Sequence, residues 1–187
     1  MSDEPRLRVL FDTTVFCGAL VKPEGGNMQC LLLANAPLFH PVISQAVLAE
    51  FIHSATVRGL GKGAHRRFYT YQEAWEFLHA LSTLLDRSVP VGLRDILPLL
   101  NMWPYVSAKQ ALQNLASQWP SPSDDSALSE RTVANLDAKD AHVMLVAKEY
   151  DVDVLVTSNI EDFTVLAPAC SIEPPSKFLQ RWSAPHG

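Results

Sequence analysis

Asp137-Ala-Lys-Asp140-Ala-His-Val, an apolar run to Lys148, and then Val152-Asp-Val-Leu-Val-Thr157-Ser-Asn159-Ile-Glu-Asp162-Phe163 form the stretch whose reading decides the fold. Ala141–Lys148 has the apolar spacing of a helix, and Val152–Val156 is the kind of apolar run that a strand shows when both faces are covered. A helix followed by a buried strand predicts a crossover unit of a parallel sheet. In such sheets ligands bind beyond the carboxyl ends of the strands, which directs attention to Thr157, Asn159 and Asp162.

Upstream, Arg8–Phe11 is a β-prone run ending at Asp12, where Thr13 and Thr14 offer capping hydroxyls to an apolar segment, Val15–Leu20. After a turn cluster at Pro23–Asn27, Met28–Ala36 is expected as a helix and Pro37–Ile43 as a second strand. Ser44 is a good N-cap for Gln45–Ser54, whose apolar residues recur at helical spacing around Glu50. Residues 55–67 place Arg58, Lys62, His65, Arg66 and Arg67 among glycines, which predicts a flexible basic connector. Phe68–Leu85 returns to helical periodicity, and Ser88–Val91 is a candidate strand. Arg94–Trp119 is helix-like but interrupted by Pro98 and Pro104, with turn-rich Ser121–Ser126 after it. The expectation is one α/β domain with a central, mostly parallel sheet and a helical insertion at about 61–134. Phe163–Ala167 and the pair Phe178 and Leu179 complete it.

A chain of 187 residues with 48% hydrophobic content can build one real core. No apolar run approaches the roughly 20 residues of a membrane-spanning helix. Residues 1–7 lack the basic-then-apolar pattern of a secretory signal, so a cytoplasmic protein is expected. Cys17, Cys30 and Cys170 are odd in number and scattered, which argues against a disulfide framework or a thiolate zinc site and for buried fillers. A net charge of −5 excludes a general nucleic-acid magnet, unless acidic groups cluster at metal and basic groups surround them.

The acidic residues do converge on paper. Asp12 follows the first strand, Glu50 lies on the helix after the second, Asp140 opens the helix before the last predicted crossover strand, and Asn159 and Asp162 follow that strand. Carboxylates gathered this closely repel, and a divalent cation removes the conflict. Hard oxygen donors select Mg²⁺ or Mn²⁺, which share their shell with water and substrate phosphate. Each residue alone has a simpler explanation: an aspartate at a strand end is more often a cap, Glu50 a solvated helix residue, and Asp137 the N-cap of its helix. Asp151 and Asp153 flank the entry to their strand, at the other end of the sheet.

The stretch from Asp137 to Phe163 resembles the PIN-domain family almost position by position, in particular the bacterial VapC-like toxin ribonucleases of toxin–antitoxin systems. Val-Leu-Phe-Asp12-Thr-Thr-Val is similar to the family's first motif, and Ser44-Gln-Ala-Val-Leu-Ala-Glu50-Phe to its second. The resemblance covers roughly residues 8–60 and 135–182 and implies a three-layer PIN-like α/β/α fold. It further implies a metal-dependent endoribonuclease with Asp12, Glu50, Asp140 and Asp162 as catalytic metal ligands. Asn159 stands where many relatives carry aspartate and Lys139 where many carry an acidic residue. Which of Asn159 and Asp162 approaches metal is therefore open. Thr13, Thr14 and Thr157 are candidates to orient carboxylates or metal-bound water, with structural capping as the rival explanation.

RNA needs cations beside the metal. Arg58, Lys62, Arg66 and Arg67 are the dense candidates, against a plain solvated loop. The four tryptophans are expected as core or interface anchors rather than stacking platforms. The apolar middle region offers a surface for a homodimer or for an antitoxin helix. The alternatives are a structure-specific DNA nuclease, a phosphatase, and a catalytically impaired PIN scaffold that binds RNA or a protein.

Overall fold

A computed structural model describes residues 6–91, 140–166 and 169–183. Five strands form one all-parallel sheet: β1 (Arg8–Phe11), β2 (His40–Ser44), β3 (Val89–Val91), β4 (Val154–Val156) and β5 (Ser171–Glu173), in the order β3-β2-β1-β4-β5. Leu10 lies opposite both Val42 and Leu155, so β1 is the centre of the sheet. Its residues Val9, Leu10 and Phe11 are fully buried, as a strand with both faces covered requires. This is the three-layer α/β/α arrangement expected from the alternation of strands and helices.

Seven helices among the described residues cover the sheet: α1 (Thr13–Val21), α2 (Gly26–Leu33), α3 (Gln45–His53), α4 (Tyr71–Ala80), α5 (Ser82–Arg87), α6 (Ala141–Glu149) and α7 (Pro175–Ser183). On one face the ring of Phe11 meets Phe178 of α7 edge-on at 5.8 Å and Phe39 at 6.1 Å, and Phe39 meets Trp182 at 5.4 Å. Aromatic pairs in tilted and edge contact add to the burial that locks α7 down. An ion pair at the sheet edge does the same: Arg181 of α7 reaches Glu173 of β5 at 2.8 Å, and the Glu173 side chain is wholly buried.

Local chemistry sets the boundaries. Ser44 caps α3 by accepting the Ala46 N–H at 3.1 Å. Thr70 and Glu73 make a reciprocal capping box that starts α4 at Tyr71 rather than at the expected Phe68. The sequence showed a single helix to Leu85, but the chain breaks at Leu81 into α4 and α5. Of the segment expected as an insertion, residues 61–91 are described, and they belong to the layers: Ala74, Leu78 and Leu84 are core and β3 extends the sheet. Residues 92–134, with Asp137 and Lys139, lie outside the described residues.

The basic connector is not a slack loop. A π-helical turn, Ser54–Arg58, continues α3, and Leu60 and Arg67 then exchange two backbone hydrogen bonds of 2.8 Å across a short turn. Gly59 supports the reversal with φ of +73°, where a side chain is strained, and a methyl there would meet Arg66 Cγ at 2.8 Å. At the opposite end of the sheet, Asp153 accepts the Arg8 N–H at 2.7 Å, so Asp151 and Asp153 stand away from the carboxyl ends, as anticipated. No helix of the described residues is long and apolar enough to cross a membrane.

Candidate active site

The carboxyl ends of β1 and β4 lie side by side, and the first residues beyond them meet. Asp12, 3% exposed, caps α1, but its bond to the Thr14 N–H is long at 3.4 Å. Two hydroxyls hold the same oxygen more tightly: Thr14 Oγ1 donates to Asp12 Oδ2 at 2.7 Å and Thr157 Oγ1 donates to it at 2.8 Å. Capping alone would need neither hydroxyl. The carboxylate is therefore oriented from both strands at once. The β4 loop is tied into the same cluster, because the Ser158 N–H donates to Thr14 Oγ1 at 3.1 Å and the Asn159 N–H to Thr157 Oγ1 at 3.0 Å.

Glu50 enters from α3. The Thr13 hydroxyl donates to its Oε2 at 2.6 Å, which links the second carboxylate to the residue beside Asp12. His142, in the first turn of α6, places Nε2 3.2 Å from the same oxygen. Burial lowers the pKa of this imidazole against the opposing pull of Glu50 and Asp12. A neutral ring then donates through Nε2, and Nδ1 is left as a buried acceptor without a partner among the described residues. On the solvent side Arg58 Nη1 lies 4.0 Å from Glu50 Oε1. Beneath the pair, burial first, and then the charges of Asp12 and Glu50, push the Cys17 thiol up to about 12, so it stays protonated. Cys17 is only partly buried, whereas Cys30 and Cys170, free and buried, are pushed up to about 12 and about 11, chiefly by burial, and suit the role of fillers.

The profile of the PIN domain family matches residues 8–161. The chain belongs to the PIN domain family. No curated protein sequence matches it. PIN domains are generally nucleases, so this PIN domain carries a nuclease-type fold, and the matched span runs from β1 into the loop that holds Asn159.

Within this PIN domain the sequence-derived residues divide. Asp12, Thr13, Thr14, Glu50 and Thr157 are brought into one bonded cluster. Asp140 sits, half-buried, in the turn that opens α6, two residues before the His142 that touches Glu50. Asp162 is held by the Asn159 side-chain amide, one short turn beyond the cluster. Among the basic candidates, Arg58 faces Glu50, whereas Arg67 pairs with Glu73 at 2.8 Å and covers the Tyr69 ring at 4.4 Å. Lys62 and Arg66 are exposed.

Among the described residues no three carboxylate, imidazole or thiol side chains form a ready-made cage for a metal. Two carboxylates among hydroxyls suit instead a hard divalent ion that keeps much of its water and completes its shell with substrate phosphate. In donor chemistry the residues fit such an ion. Sequence reading did not single out His142 as a site residue, and its contact with Glu50 was missed. The one available signal was its place two residues after Asp140, on the first turn of the same helix.

Proposed function

We propose that the protein is a metal-dependent endoribonuclease, with Asp12, Glu50, Asp140 and Asp162 providing oxygen ligands for Mg²⁺ or Mn²⁺. The observation that carries the reading is the joining of Asp12 and Glu50 through Thr13 at the carboxyl ends of adjacent central strands. Bound there, the ion would supply an activated water and steady the charge on the leaving oxygen. The chain's own residues do the positioning. Thr14 and Thr157 fix the rotation of the Asp12 carboxylate, His142 and Thr13 fix Glu50, and Arg58 stands where an RNA phosphate would approach. Lys62 and Arg66 extend this basic border. The resemblance to toxin ribonucleases supports a cognate antitoxin as partner, with a homodimer as the alternative use of the same kind of surface.

The test is cleavage of single-stranded RNA by the purified protein with Mg²⁺ or Mn²⁺ and with chelator. Cleavage is expected only with metal, and intact RNA under every metal condition would sink the reading in favour of a scaffold in which Asn159 has replaced an acidic ligand. Parallel DNA and phosphomonoester substrates separate the other two enzymes.

Thr157 gives a second check. It is fully buried, and valine keeps its shape while removing the hydroxyl that holds Asp12. Thr157→Val should weaken Mn²⁺ binding by roughly 10–100-fold, the effect typical of outer-shell partners, as read by isothermal titration calorimetry. Unchanged affinity would mean that Asp12 does not need this bond.

A further inference from the structure

Seven of the eight phenylalanines are buried, and Phe68 is the exception at 59% exposure. It closes the turn that follows Arg58. Its ring lies beside Gly59, where a methyl would meet Phe68 Cε1 at 3.1 Å, and the backbone on either side is fixed by the Leu60–Arg67 bridge and by a 3.0 Å bond from the Tyr69 N–H to the Ala55 carbonyl. The ring is thus displayed on an anchored backbone beside Gly59, the residue that follows the arginine facing Glu50.

The charge around it is concentrated. From Phe51 to Gln72 the chain has no aspartate or glutamate but holds Arg58, Lys62, Arg66 and Arg67, in a protein with a net charge of −5. The π-helical turn aims the first of these. Eight residues at 3.6 per turn would leave Arg58 rotated by roughly 80° from Glu50 around the helix. The wider winding of Ser54–Arg58 removes much of that offset and brings the guanidinium back over the carboxylate.

We propose that the turn from Arg58 to Phe68 is a subsite for single-stranded nucleic acid. Phe68 stacks on one unpaired base, and Arg58 and Arg66 take the phosphates beside it. Cations that track a backbone, combined with an exposed ring, are the means by which single strands are held without sequence readout. A base inside a duplex has both faces covered by its neighbours and cannot use such a ring. Because the ring's backbone is already fixed, little ordering is needed on binding. The inference rests on the nuclease reading for its substrate and adds strand selection to it.

The test compares the native protein with Phe68→Ala, Phe68→Trp and Phe68→Leu, using fluorescence anisotropy with a labelled short single-stranded RNA and its duplex, in chelator so that no cleavage occurs. Phe68→Ala should weaken single-strand binding by at least about fivefold and leave duplex binding unchanged, and Phe68→Trp should restore it. Equal loss for both forms, rescue by leucine as good as by tryptophan, or no loss at all would overturn the subsite. If the native protein cleaves RNA with Mn²⁺ but Phe68→Ala binds normally, the subsite fails while the nuclease reading stands. If Phe68 governs binding but nothing is cleaved, the subsite stands and the nuclease reading falls.

Discussion

Asp12→Asn should lower metal-dependent RNA cleavage by about a hundredfold or more while the protein folds and melts much as the native chain does. The two halves of this expectation come from different properties of one side chain. As a fold element Asp12 accepts hydrogen bonds from Thr14 and Thr157 and caps α1, and an asparagine oxygen can do all of this, because asparagine and aspartate are comparable N-caps. As a proposed ligand it supplies a negative charge, which asparagine lacks. Asp140→Asn should behave in the same way if its carboxylate reaches the same ion, and Asp153→Asn, at the far end of the sheet, should keep full activity. Initial cleavage rates with Mn²⁺, set beside thermal melts, separate loss of charge from loss of fold. A fully active Asp12→Asn would end the proposed chemistry.

What could be read from the sequence was what is written in local order. A strand followed at once by an acidic residue and a helix places that residue at the carboxyl end of the sheet, which is where Asp12 lies, and Thr157 follows the neighbouring strand in the same way. The parallel sheet followed from the same alternation. What could not be read depends on packing between distant segments. His142 meets Glu50 only because α6 lies against α3, 92 positions away in the chain, and a histidine within a helix carries no mark of what lies opposite. Glycines between arginines suggested slack, whereas the Leu60–Arg67 bridge and the π turn that aims Arg58 are properties of the folded backbone with no periodic signature. Helix ends were misplaced for a similar reason: the apolar pattern runs through Leu81, but the Thr70 and Glu73 caps and the break at Leu81 decide where hydrogen bonding begins and stops.

Glu173 was missed too, and it carries the largest expected effect on stability. Its carboxylate is wholly buried at the sheet edge, where Oε1 accepts from Ser171 Oγ at 3.0 Å and pairs with Arg181 at 2.8 Å, while Oε2 has no hydrogen-bond partner among the described residues. Removing the guanidinium strands a charge in an apolar setting. Arg181→Ala should therefore cost about 3 kcal/mol, the lower end for breaking a buried pair, because the arginine side chain is 42% exposed and water can follow it in. For a chain of this length that is a fall of roughly 6–12 °C in Tm by thermal melting. The double variant Glu173→Leu with Arg181→Leu should recover most of the loss, since a buried pair can be replaced by packed apolar groups at little cost. The consequence reaches the candidate site, because the Glu173 carbonyl accepts the Thr157 N–H at 3.0 Å and Thr157 in turn holds Asp12. Near-native melting of Arg181→Ala would mean that the carboxylate is stabilised by Ser171 and its surroundings alone, and that α7 is held by its aromatic contacts rather than by charge.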